Sequence, residues 1–213
     1  MLGMSYGKGQ GITQDYAEAA RWLRNAAGQG SADAQIAFGM AYYHGYGVTQ
    51  DNAEAVMWLQ KAAEQGSANG QLILGGMYYY GHGVIQDYAE AAKWFRNAAE
   101  QGNAMAQDVL GRLYYHGHGV TQDNAEAAKW FRKAAEQGDA EAQYALGVMY
   151  AKGEGVAQNY SESYMWLSSS LVSNKDPLGL FYRLIARVSS YMMTFLLSAN
   201  QIEDAQKRAV KNK

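Results

Sequence analysis

Tryptophan occurs five times in this chain, and each copy stands 36 residues after the last: Trp22, Trp58, Trp94, Trp130 and Trp166. A fixed period of this length is the mark of one supersecondary unit copied along the chain. Gly39, Gly75, Gly111 and Gly147 keep the same interval, as do the pairs Gly45/Gly47, Gly81/Gly83, Gly117/Gly119 and Gly153/Gly155. A unit so short cannot bury its own apolar stripe, so the copies must stack on their neighbours.

Cut at Ala32, the units run 32–67, 68–103, 104–139 and 140–175, with a partial copy over 1–31 before them; the array spans 1–175, and a divergent segment covers 176–213. In the unit 32–67, Ser31 is a candidate N-cap. Ala34, Phe38, Gly39 and Tyr42 follow at helical spacing and share one face, which defines helix A. The glycines of His44-Gly45-Tyr46-Gly47 stop it. Helix B starts at Asp51, three residues before Glu54, the spacing of a capping box. The pair recurs as Asp15/Glu18, Asp87/Glu90 and Asp123/Glu126, and as Asn159/Glu162. Ala55, Trp58, Leu59 and Ala62 form the apolar stripe of helix B, and Gly66 ends it. Glycine inside a helix costs about 1 kcal/mol relative to alanine. Its return at Gly39 and its equivalents therefore predicts a close approach of helix A to helix B, with Trp58 filling a larger gap. The expected fold is all-α, an array of antiparallel helix pairs with one concave and one convex surface.

The spacing Ala-x-x-x-Leu-Gly-x-x-Tyr-x-x-Gly-x-Gly-Val-x-x-Asp-x-x-x-Ala-x-x-Trp-x-x-x-Ala-Ala-x-x-Gly resembles the Sel1-like repeat. It stands here as Ala106, Leu110, Gly111, Tyr114, Gly117, Gly119, Val120, Asp123, Ala127, Trp130, Ala134, Ala135 and Gly138. The likeness covers about residues 1–167; the departures are Asn159 in place of Asp, and Ser168–Ser170 in place of the Ala-Ala of helix B. Tetratricopeptide repeats are the nearest competitor, but their period is about 34 residues. The resemblance implies a right-handed superhelical α/α solenoid with a C-terminal helical cap. It also implies a non-catalytic scaffold or adaptor of bacterial type that mediates protein–protein contacts. The alternative role is a structural or regulatory spacer in a larger envelope or host-interaction assembly, and after that a metal protein or an enzyme.

Invariant positions report the fold and variable ones the individual job. Within helix A the variable sets are Ile36/Leu72/Asp108/Tyr144, Met40/Gly76/Arg112/Val148 and Tyr43/Tyr79/Tyr115/Ala151, all on one face. Helix A lines the inside of related solenoids, which places Met40, Tyr43, Tyr79, Asp108, Arg112, Tyr115 and Tyr144 on the concave surface as partner-binding candidates. Tyrosine and arginine are enriched in binding hot spots. The expected guest is a peptide or protein segment, with tyrosines supplying area and Arg112 pairing a carboxylate. The plainer alternative has Tyr43, Tyr79 and Tyr115 bridging neighbouring repeats, half buried.

Other chemistry finds less support. The Gly-x-Gly loops lack the third glycine of a dinucleotide fingerprint and follow no strand, and no Gly-Lys-Ser/Thr accompanies Lys8. His44, His82, His116 and His118 share their loop positions with Lys8, Tyr46, Tyr80, Lys152 and Glu154, so no metal site is expected. Capping accounts for the repeated carboxylates, and no Ser-His-Asp or Gly-x-Ser-x-Gly pattern appears. No catalytic residue, metal or cofactor is assigned. The net charge of −2 argues against nucleic acid as the main partner, and the absence of cysteine removes disulfides and thiolate sites.

The N-terminus shows no signal peptide and begins partway through a unit, as a trimmed chain would. As it stands the chain is expected in the cytoplasm; a removed leader would place it in the periplasm or outside the cell. Val188–Leu197 is about half the roughly 20 apolar residues a bilayer requires, so no transmembrane segment is expected. Asp176-Pro177 reads as the start of a helix through Leu180, Phe181, Leu184, Ile185 and Val188, and Ser198 as the cap of a last helix over Asn200–Val210. These close the array. The expected state is a monomer, with a dimer or membrane-surface contact through Tyr191–Leu197 as the alternative.

Overall fold

The computed structural model describes residues 15–173 and 197–211. They form helices only: α1 (Tyr16–Gly28), α2 (Ala32–His44), α3 (Asn52–Glu64), α4 (Ala68–Tyr80), α5 (Tyr88–Glu100), α6 (Ala104–His116), α7 (Asn124–Glu136), α8 (Ala140–Lys152), α9 (Tyr160–Ser173) and α10 (Ala199–Lys211). The chain divides into two compact units, one up to Gln101 with α1–α5 and one from Gly102 with α6–α10. The A helices are α2, α4, α6 and α8; the B helices are α1, α3, α5, α7 and α9. Each A helix packs on the B helix that follows it, α2 on α3 and α4 on α5 in the first unit, α6 on α7 and α8 on α9 in the second. No strand occurs among the described residues, and the fold is the all-α repeat solenoid that the period predicts.

The A helices begin at Ser31, Ser67, Asn103 and Asp139, whose side chains each accept the backbone N–H three residues on. They end at Gly45, Gly81, Gly117 and Gly153, all left-handed with φ between 71° and 75°. The second loop glycine has a further reason to lack a side chain. A Cβ on Gly83 would lie 2.2 Å from the carbonyl oxygen of Asn52, at the start of the preceding B helix.

The B-helix starts depart from the expected reciprocal box. Asp51 Oδ1 accepts from the N–H groups of Ala53 and Glu54, and Asp87 and Asp123 do the same in their repeats. The backbone N–H of Asp51 is not open to Glu54, because it donates to the Tyr42 carbonyl at 3.0 Å, and Asp87, Asp123 and Asn159 likewise donate to Tyr78, Tyr114 and Tyr150. Glu18, Glu90 and Glu126 instead pair with Arg21, Lys93 and Lys129 one turn on.

The mid-helix glycines do permit close packing. A Cβ at Gly75 would meet the Phe95 ring at 2.9 Å, at Gly111 the Phe131 ring at 2.8 Å, and at Gly147 Leu167 Cγ at 2.8 Å. Small residues fill the remaining contact: Ala55, Ala62, Ala91, Ala98, Ala127 and Ala134 are fully buried. The tryptophans are graded rather than uniform. Trp166 and Trp130 are buried, Trp58 and Trp94 sit half-buried at the rim, and Trp22 is 42% exposed. Lysines lie over two of the indoles, with Lys61 Nζ 4.0 Å from the centroid of Trp58 and Lys133 Nζ 4.0 Å from that of Trp130.

Two glutamine ladders, also 36-periodic, tie the repeats. Buried Gln35 donates to the Ala27 carbonyl of the preceding B helix and accepts from Gln65 of the following one. Gln71 does the same with Ala63 and Gln101. Gln50, Gln86, Gln122 and Gln158 donate to the carbonyls of Tyr43, Tyr79, Tyr115 and Ala151, satisfying an orphan acceptor at each A-helix end.

At the C-terminal end, Ser198 caps α10 and Gln201 reaches back to its N–H, a true reciprocal box. Ala205 and Ala209 of α10 pack with Trp166 and Tyr164, and Leu197 joins the same cluster. Leu197 thus belongs to the core of its own unit. The expected helix over Leu180–Val188 and the rest of the Tyr191–Leu197 contact fall outside the described residues.

Candidate partner-binding site

The variable face of the A helices carries every sequence-predicted site residue, and the two units use it differently. In the first unit Met40, Tyr43 and Tyr79 are half-buried. Tyr43 reaches the loop of the next repeat, its hydroxyl 2.9 Å from His82 Nδ1. In the second unit the Tyr115 hydroxyl donates to Glu154 at 2.8 Å, again one repeat on. That bond, together with burial, raises the Tyr115 pKa, since the carboxylate holds the phenolic proton. The Tyr43 and Tyr115 hydroxyls therefore each reach a residue of the neighbouring repeat, whereas Tyr79 meets Tyr80 and Tyr88 of its own repeat.

The second unit also gathers Arg112, Tyr115 and Tyr144 around one pocket of about 190 Å³ between α6 and α8. Phe131, Ala145, Val148 and Met149 make its apolar wall, and His116 and Glu141 complete its lining. In the sequence His116 is weighed only as a metal ligand, and Glu141 is not singled out. The signal for Glu141 was present, for its position reads Asp33, Asn69, Met105 and Glu141 across the repeats.

Asp108 is not on the open surface. Its side chain is 8% exposed and is paired with Arg112, Nε to Oδ2 at 2.8 Å. Burial raises its pKa from 3.8 to about 6 and outweighs the opposing pull of Arg112; Asp139 and Glu141 push in the same direction as burial. Arg112 Nη2, which also reaches Asp108 Oδ1 at 3.4 Å, donates to Glu141 Oε2 at 2.5 Å. Arg112 is thus held between two carboxylates of its own chain. A guest carboxylate would have to displace Glu141, whose side chain is half exposed.

Residues 1–31, 32–67, 68–103, 104–139 and 140–170 match the family model of the Sel1 repeat. The chain belongs to the Sel1 repeat family. A protective antigen of uropathogenic Escherichia coli with this fold superposes with a TM-score of 0.78 at 33% identity, over 99% of this chain and 52% of the antigen. A Sel1 repeat protein from Oxalobacter formigenes gives 0.78 at 35% identity, over 82% of this chain and 72% of that one. The chain spans about half the length of the E. coli antigen. No curated protein matches it by sequence. Sel1 repeat proteins are commonly protein-interaction scaffolds, and their fold is typical of non-catalytic repeat proteins. Among the described residues no group of three or more His, Asp or Glu side chains is placed to hold a metal ion, and no helix is long and apolar enough to cross a membrane.

Proposed function

We propose that this Sel1 repeat protein is a non-catalytic adaptor that grips a segment of a partner protein on the A-helix face of its second unit. The supporting observation is the pocket between α6 and α8, where an apolar wall stands beside paired charges. One apolar side chain of the partner enters against Val148, Met149 and Phe131, flanked by Tyr115 and Tyr144. Arg112 and Glu141, already locked to each other, form a polar rim that fixes register at little ordering cost. Asp108 works from below by orienting Arg112, and Met40, Tyr43 and Tyr79 belong to a separate surface of the first unit.

A photo-reactive phenylalanine analogue at Tyr144 in the intact chain tests the reading, with the same analogue at Lys129 on α7 as control. The expected result is a defined partner band crosslinked from position 144 and not from 129, and lost on Val148→Arg. Equal crosslinking from both positions, or a band that survives Val148→Arg in a folded protein, would show that the array acts only as a spacer or binds elsewhere.

A further inference from the structure

The first unit carries a surface that the pocket does not use. Where its A helices end and its B helices begin, eight rings touch in succession. Tyr16 stacks on Tyr46 at 5.1 Å between centroids, Tyr46 stacks on His44 at 5.1 Å, and His44 meets Tyr43 edge-on at 4.9 Å. Tyr43 lies 5.6 Å from His82, which stacks on Tyr80 at 5.6 Å; Tyr80 meets Tyr79, and Tyr79 meets Tyr88, each at 5.0 Å.

The turn itself does not demand these rings. In the last repeat the positions of His44 and Tyr46 are taken by Lys152 and Glu154, which form an ion pair at 3.5 Å around the same glycine geometry. The strip is open to solvent, with Tyr80 66% exposed, Tyr46 51% and the neighbouring Ile85 91%. Rings held between other rings lose little freedom on meeting a partner, and tyrosine is a common anchor of binding hot spots.

The charge beside the rings is predominantly acidic. Residues 42–54 and 78–90 contain no Lys or Arg, but include Asp51, Glu54, Asp87 and Glu90; Asp15 and Glu18 open α1 beside Tyr16. Against these carboxylates stand Arg21 and Lys93, each engaged one turn back by Glu18 and Glu90. An acidic, aromatic edge favours cations, through both ring faces and carboxylates.

We propose that this loop edge of residues 15–101 is a docking surface for a basic protein segment, one whose Lys or Arg side chains are interspersed with apolar residues. It does not depend on the pocket in the second unit.

The test titrates the intact chain by calorimetry with three probes: a peptide of alternating lysine and leucine, its glutamate–leucine counterpart, and an uncharged chito-oligosaccharide. The expected result is binding of the lysine peptide alone, weakened several-fold by raised salt as screening requires. Tyr46→Ser with Tyr80→Ser should weaken it by about tenfold or more, the loss of at least one hot-spot anchor. Ile85→Lys, at a site too exposed to disturb folding, should weaken it as well by repulsion. Equal binding of both peptides, binding of the oligosaccharide in their place, or unchanged affinity in the Ile85→Lys protein overturns the proposal. None of these variants touches Arg112, Tyr115 or Tyr144, so the two readings fail separately.

Discussion

Asp108 offers a prediction whose sign separates two physical accounts of the same contact. As an ion pair with Arg112 at 2.8 Å, it would be expected to have a lowered pKa and to gain stability for the protein as it ionises. As a carboxylate buried to 8% exposure, its pKa instead rises from 3.8 to about 6. The folded state then holds the proton more tightly than the unfolded chain does. Such a group contributes its full stabilisation below pH 3.8, loses it as the pH climbs, and has lost it once the pH passes about 6. The gap between 3.8 and about 6, at about 1.4 kcal/mol per pH unit, amounts to about 3 kcal/mol. Asp108→Asn keeps the shape and one acceptor but cannot ionise. Urea unfolding of the parent and the Asn variant, across a pH series from about 4 to about 7.5, isolates the term, because every other titrating group is common to both. The variant should gain on the parent as pH rises, by most of that 3 kcal/mol. A flat difference would show that the Arg112 pair cancels the burial, and a variant that loses ground with rising pH that the pair outweighs it; either refutes the reasoning.

The graded tryptophans make a second test. Trp130→Ala should cost about 3–5 kcal/mol, as for any buried indole, whereas Trp22→Ala, at 42% exposure, should cost less than half as much by denaturant unfolding. Equal costs would mean that burial is not what the repeated indole supplies. For the glutamine ladder, Gln71→Ala removes two hydrogen bonds, one to the Ala63 carbonyl, which keeps the Gly66 N–H, and one from the Gln101 amide, which keeps the Asn97 carbonyl. At about 0.5–1.5 kcal/mol per bond, about 1–3 kcal/mol should be lost, and Gln71→Leu should not recover it because volume is not the missing quantity. Recovery by leucine would refute the hydrogen-bonding role.

How much of the site was legible follows from what repetition can and cannot report. The tyrosines and Arg112 stood out because they vary in register on one helix face, and the structure brings Arg112, Tyr115 and Tyr144 to one pocket. The depth of Asp108 was not legible. Its position holds Ile36, Leu72 and Tyr144 elsewhere, residues that fit a half-buried place as well as an open one. Glu141 escaped because its importance lies in a bond to Arg112, 29 residues earlier, which no local pattern encodes. The glutamines at 35, 71, 107 and 143 repeat as strictly as the tryptophans. Their role stayed hidden because their partners sit on other helices.

What the sequence determined unaided is whatever depends on neighbours along the chain. A 36-residue period, N-caps, left-handed glycines and an apolar stripe specify helix pairs that must stack, since each of these acts within a few residues or by repetition. The tertiary structure decided everything that depends on competition for the same group. Tyr42 takes the backbone N–H that Glu54 was expected to take, so the capping box is only half made. Burial prevails over an ion pair at Asp108, and a row of rings closes along one edge through contacts between residues up to 39 positions apart. Hydrogen bonds and solvent exclusion are allotted in three dimensions, and a linear pattern names the claimants without choosing among them.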